Sequence, residues 1–249
     1  MRNIMHLVAN GCSHTAGAEM EFPYQGKCYD KAWPKYLADS LGCSHTNLSN
    51  SGASSHRVVR TTMRYVLDNF KAKNTLKDHF FVILWPGAYR TEIRGTSNLY
   101  HDDGWMPLVV GNDEDYKKSL PKSIYNYYRS WVITSEEPIK ARMDYLHDIL
   151  FLQHFFVTYK IKFLFWAASY VNIIDDMQEL SGYKSLIFKK TFPHFSDISQ
   201  SYNVLLPANG QKITKHSIAG GFNSHFDEDA QIWFAHHLNK YILSNALLP

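Results

Sequence analysis

The chain has 249 residues, 45% hydrophobic and 20% charged, a balance that fits a well-buried core and excludes intrinsic disorder. Its net charge is only +3 and its basic residues are scattered, which argues against nucleic acid as a partner. Three cysteines (Cys12, Cys28 and Cys43) cannot all pair and match no zinc spacing, so a reducing compartment is expected.

The N-terminal MRNIMHLVANG carries too short an apolar run for a signal peptide. No stretch approaches the roughly 18 apolar residues that span a bilayer. A cytoplasmic chain with no signal peptide and no membrane contact is therefore expected.

In chain order, Ile4 to Ala9 reads as a first strand. Trp33 to Leu41 reads as a helix, with Trp33, Tyr36, Leu37 and Leu41 at helical spacing. His45 to Leu48 is a short second strand, and Ser55 to about Phe70 is a second helix with Val58, Val59, Thr62, Met63, Val66 and Leu67 on one face. The continuous apolar run FVILW, ending at Trp85, suits a strand buried on both faces. A long helix from about Glu136 to Tyr159 and a second apolar strand, Phe163 to Ala168, follow. A helix from about Asp227 to Leu243 closes the chain.

Alternation of this kind predicts an α/β fold: three layers, with a flavodoxin-like parallel sheet of about five strands covered on both faces. With no repeat, low-complexity tract or linker, a single domain over residues 1–249 is expected. Two segments interrupt the pattern, at about 93–131 and 170–222. The first holds Tyr100, Trp105, Tyr116, Tyr125, Tyr127, Tyr128 and Trp131. Segments this long form either binding loops or a small core of their own.

In open parallel sheets, ligands bind beyond the carboxyl ends of the strands. Ser13 follows the first strand, Gly52 the second and Arg90 the third, while His225 precedes the last helix and can be brought over the same edge. The stretch VANGCSHTAG (Val8 to Gly17) crowds small and polar residues at a strand end, as a presented nucleophile requires.

These residues form blocks: Gly11-Cys12-Ser13, then Gly52 within NLSNSGASS, then WPGAYRTE after the third strand, then Asn223-Ser224-His225. The ordered set resembles the SGNH (GDSL-type) hydrolases, and GCSHTAG looks most like a branch found in bacteriophage and marine bacterial genomes. The resemblance implies a serine esterase, possible on carbohydrate O-acetyl groups, with Ser13 as nucleophile and His225 as its base. It also implies an oxyanion hole from the N–H groups of Ser13 and Gly52, no cofactor and no metal, and a cytoplasmic or virion-associated setting.

Two positions depart from the family pattern. No asparagine lies between Trp85 and Glu92, so the third oxyanion donor is missing; Arg90 is the candidate for charge stabilisation, and pairing with Glu92 or Asp103 is the alternative. Asn223 stands where the family has the triad aspartate; its carbonyl can orient His225 but cannot supply charge. The implied site is thus a Ser13–His225 dyad or a triad with Asn223, with His14, Arg90 and Trp85 as further substrate-binding candidates. The rival expectation is a non-catalytic glycan-binding or virion-associated module with a degraded site.

Other residues have plainer readings. Asp227 is expected to cap the last helix, Cys12 to point into the core, and Asn47 and Ser54 to organise backbone. His236 and His237 point to different helix faces, which disfavours a metal pair. Oligomeric state is not legible here.

Overall fold

The computed structural model describes residues 6–20, 27–73, 76–94, 104–135, 138–168, 181–187, 191, 201–212 and 225–248. The elements in order are β1 (His6–Gly11), α1 (Ser13–Ala16), α2 (Trp33–Leu41), β2 (Ser44–Asn47), α3 (Ser55–Lys73), β3 (His79–Trp85), β4 (Arg90–Arg94) and β5 (Trp105–Val109). They continue with α4 (Asp113–Ser119), α5 (Lys122–Ser135), α6 (Pro138–Thr158), β6 (Lys162–Ala167), α7 (Ser181–Leu186), α8 (Tyr202–Ala208) and α9 (Glu228–Ser244).

Four of these strands form a parallel sheet in the order β2-β1-β3-β6. Side chains alternate across a strand, so a sheet buried on both faces divides its residues between two cores. Leu7, Ala9, Phe80, Val82, Leu84, Leu164 and Trp166 share one core with Trp33 and Leu37 of α2 and Phe234 and Leu238 of α9. Val8, Phe81, Ile83, Phe163 and Phe165 share the other with Val58 and Val66 of α3 and Leu146, Ile149 and Phe156 of α6. The result is an α/β/α sandwich in which all seven residues of β3 are buried.

Where about five strands were expected, the described residues supply four. On β6, the Phe165 N–H donates to the Thr191 carbonyl at 2.6 Å; residues 188–190 and 192–200 lie outside the described set. In the order 2-1-3-6 the chain runs from β1 outward to β2 and then crosses back past β1 to β3 and on to β6, so the direction of strand addition reverses at β1. That is the position where open α/β sheets open a crevice.

The first interruption of the pattern is a unit of its own. β4 and β5 pair antiparallel, Arg90 opposite Val109 and Arg94 opposite Trp105. Met106, Leu108, Leu120 and Tyr128 are buried there, with Ile93, Tyr116, Ile124, Tyr125 and Trp131 packed around them. Tyr116 and Tyr128 meet edge to face at 4.8 Å, a favoured aromatic geometry. Tyr116, Tyr125, Tyr128 and Trp131 therefore belong to a third, subsidiary core, whereas Tyr127 is exposed and Tyr100 lies outside the described residues. The unit begins at Arg90 and ends at Ser135, wider than the expected 93–131, because the hairpin and α5 are both needed to close it.

Candidate active site

The end of β1 is held tightly. Asn10, fully buried, donates from Nδ2 to the Val58 carbonyl (3.2 Å), Thr61 Oγ1 (2.8 Å) and Thr62 Oγ1 (2.9 Å), tying the strand to α3. Gly11 passes so close to β3 that a Cβ would sit 2.6 Å from the Leu84 carbonyl oxygen. Cys12 is fully buried in the first core, and Ser13 opens the single turn of α1. Gly17 ends that turn in the left-handed region at φ 67°, where a Cβ would lie 2.5 Å from the Cys28 carbonyl oxygen. Two features thus force a glycine: backbone sign and close approach.

The chain then turns again through Glu19, which is itself left-handed at φ 63°. For a residue with a Cβ this costs roughly 1–2 kcal/mol. The residue is only 2% exposed. Its partner is His225: Nδ1 lies 2.9 Å from Glu19 Oε2. Strained backbone carrying a buried charge onto a histidine is the kind of outlier that accumulates at functional sites.

His225 is placed from the other end of the chain. Asp227 caps α9, its Oδ1 accepting from the Ala230 N–H at 3.0 Å, and the Asp227 N–H donates to the Lys212 carbonyl at 3.0 Å. Phe226 enters the first core, edge-on to Tyr202 at 5.5 Å. Fixed on both sides, His225 meets His14, the residue after Ser13, with ring centroids 5.0 Å apart. His14 also packs on Tyr202 at 5.0 Å.

Burial governs both rings. It pushes the His14 pKa well below the usual histidine value, helped by the charges of His225 and Arg90. Burial also lowers His225, against the raising effect of the Glu19 carboxylate and with a further lowering from Arg90. A neutral imidazole near pH 7 is the form that accepts a proton.

The second block folds around the same edge. Asn47 Nδ2 donates to the Thr15 carbonyl at 2.8 Å, and its Oδ1 accepts from the Ser49 N–H (3.1 Å) and hydroxyl (2.5 Å). Ser54 Oγ accepts from the Arg57 N–H at 3.2 Å, at the start of α3. Gly52 is left-handed at φ 72° and packs on Pro107. Among the described residues, the N–H groups of Ser13 and Gly52 have no protein acceptor.

Arg90 opens β4 and its charge reaches both His14 and His225. It does not pair with Glu92. That carboxylate is taken by Arg60, Nε to Oε1 at 2.9 Å and Nη2 to Oε2 at 2.8 Å, with the guanidinium over the Trp105 ring at 4.4 Å. Asp103 and Asn223 both lie outside the described residues. Trp85 is fully buried, edge-on to Tyr145 (6.0 Å) and Phe165 (5.3 Å), so its ring is part of the second core and offers no surface to a ligand. Position at a strand end had made it a binding candidate; the fully apolar surroundings of β3 draw the ring inward.

Residues 22–201 match the model of a family described as a family of unknown function, DUF6071. The chain belongs to that family. No curated protein matches it. Among solved structures it is similar to a psychrotrophic esterase, EstA from Pseudoalteromonas sp., at 11% identity and TM-score 0.44, covering 96% of this chain and 97% of that one. It is similar to an acetyl xylan esterase, Est2A from Butyrivibrio proteoclasticus, at 11% identity and TM-score 0.44, over 97% of this chain and 64% of that one. A G-D-S-L family protein from Desulfitobacterium hafniense DCB-2 gives TM-score 0.39 at 11% identity, over 95% and 99% of the two chains.

In this DUF6071 chain the matched region holds Gly52 and Arg90 but ends before His225 and begins after Ser13. The residue that sequence reasoning missed is Glu19. Its only signal is an acid two residues after Gly17, with Glu21 a second acid close by, because no periodicity marks a left-handed glutamate. Among the described residues no cluster of His, Cys, Asp and Glu could hold a metal ion, and no helix is long and apolar enough to cross a membrane.

Proposed function

We propose that the protein is a serine esterase in which Ser13, His225 and Glu19 act in series, with O-acetylated carbohydrate as the substrate class. The observation that carries this reading is the 2.9 Å contact between His225 Nδ1 and the buried Glu19 carboxylate. A carboxylate on Nδ1 fixes the tautomer, leaves Nε2 as the acceptor and stabilises the imidazolium that forms. Glu19 takes the part for which Asn223 was the sequence candidate, and brings the negative charge that an asparagine lacks.

In the proposed reaction Ser13 Oγ attacks the ester carbonyl carbon while its proton passes to His225 Nε2. The N–H groups of Ser13 and Gly52 receive the oxyanion. Collapse expels the alcohol, which takes the proton from His225, and leaves an acyl-serine. Water then attacks the acyl carbon, giving its proton to His225, and the acid departs as Ser13 is restored.

Turnover of 4-nitrophenyl acetate by wild-type protein and Ser13→Ala tests the proposal. The variant is expected to lose at least about 10³-fold in kcat/KM with its fold intact, as removal of a nucleophile does elsewhere. Equal turnover by the two proteins removes Ser13 from the reaction.

A further inference from the structure

A cavity of about 200 Å³ opens between the start of α3, the start of β4 and α6, with Arg90 in its wall. Ligand pockets for drug-sized molecules run about 300–1,000 Å³, so this one suits a single ring better than an oligomer or a long acyl chain. Its wall is largely polar. Ser55, Thr91 and Tyr145 bring hydroxyls, Asp144 a carboxylate, and Trp131 a half-buried indole face.

Two cations, Arg90 and Lys140, face one free acid, Asp144. Neither cation forms an ion pair with a described residue. His56 also lines the cavity, and its Nδ1 is held by Asp148 at 2.8 Å, so that acid balances His56 rather than the two cations. The hollow is therefore net positive. Arg90 belongs to both places, since it borders the cavity while its charge acts on His14 and His225.

We propose that this cavity is a subsite for a sugar ring bearing a carboxylate, seated next to the ester that Ser13 attacks. The assignment rests on the esterase reading for its role in catalysis, but not for binding itself. Arg90 offers the planar pair of N–H donors that matches a carboxylate, and Lys140 adds a point charge at the exposed rim. Trp131 supplies an apolar platform for the ring face. Asp144 and the hydroxyls accept from and donate to ring hydroxyls, which sets the orientation.

The test is direct binding of methyl β-glucuronoside and methyl β-glucoside to wild-type protein, followed by calorimetry or NMR shifts. Neither sugar is an ester, so catalysis is not needed for the readout. The uronoside is expected to bind at least tenfold more tightly, and Arg90→Gln to bring the two affinities together. Lys140→Gln, at an exposed helix position, is expected to narrow the difference by a few-fold and guards against misfolding of the Arg90 variant. Equal binding, no binding of either sugar, or a preference that survives both substitutions overturns the subsite. A preference for the uronoside in a protein whose Ser13 never reacts with a fluorophosphonate sustains the subsite and removes the esterase reading; reaction without preference does the reverse.

Discussion

Glu19 Oε2 lies 2.9 Å from His225 Nδ1, joining the turn that follows β1 to the residue that precedes α9. Both side chains are largely buried, so the contact is shielded from screening by salt. It also gives the left-handed backbone at Glu19 a purpose, because an extended residue there would carry the carboxylate elsewhere.

Glu19→Gln keeps the shape and removes the charge. In a serine protease the equivalent exchange lowers kcat roughly 10⁴-fold. Esters demand less of the base, so a loss of about 10²–10⁴ in kcat for a short acyl ester is expected. Steady-state kinetics check this; a variant within threefold of wild type would show that Glu19 does not act on His225.

Glu19→Gly separates strain from function. Glycine relieves roughly 1–2 kcal/mol of backbone cost while giving up the side-chain contact. Chemical denaturation is expected to show stability within about 1 kcal/mol of wild type, alongside the same collapse in activity. A loss of several kcal/mol would mean that the ion pair holds the fold together.

The two glycines that end α1 and α2 are expected to behave differently. Gly17 and Gly42 are both left-handed, at φ 67° and 66°. Alanine at Gly42 meets nothing within 4 Å and should cost only about 1 kcal/mol. Alanine at Gly17 would put its Cβ 2.5 Å from the Cys28 carbonyl oxygen, so it should cost clearly more and disturb the Ser13 turn. Equal losses in urea titrations of the two variants would contradict this.

Acid should weaken the fold through its buried histidines. The unfolded chain binds these protons near pH 6.5, but His14 and His225 bind them natively only at lower pH. Their contribution is full above pH 6.5 and is lost as pH falls through the lowered native values. His56 works the other way: Asp148 raises it, so its contribution is present below pH 6.5 and lost as pH rises. The difference between proteins isolates the effect. His14→Gln is expected to show a smaller fall in Tm between pH 7 and pH 5 than wild type, and an unchanged slope would contradict the buried, neutral assignment.

Much of the architecture was legible because strong patterns coincide with burial. Helix α2 runs over the same Trp33–Leu41 span that its apolar spacing marks, and the FVILW run becomes the fully buried β3. Asp227 caps α9 as its position before an apolar helix indicates. The β4–β5 hairpin was not legible. Pro107 sits within β5, where a missing N–H would normally argue against a strand; a two-stranded ribbon leaves an open edge on which it is tolerated.

The site divides in the same way. Ser13, Gly52, Arg90 and His225 stand at strand and helix ends, where topology alone directs attention, and the ring contact of His14 with His225 brings the turn after β1 to the residue before α9. Glu19 has no such marker. Its placement depends on a backbone sign that sequence does not display, on a turn fixed by the close approach of Gly17 to Cys28, and on a histidine from the far end of the chain. The sequence directs the search for a partner of His225 to the short block around Asn223, which lies outside the described residues, because proximity in sequence is visible and proximity in space is not.

Activation of Ser13 through His225 by Glu19 is the step on which the proposed esterase chemistry depends most directly. A fluorophosphonate probe, with the modified peptide identified by mass spectrometry, measures this in one experiment on wild-type protein and Glu19→Gln. Rapid modification at Ser13 in the wild type, slowed at least tenfold in the variant, is the predicted result. No modification of Ser13, or equal rates in the two proteins, would contradict it.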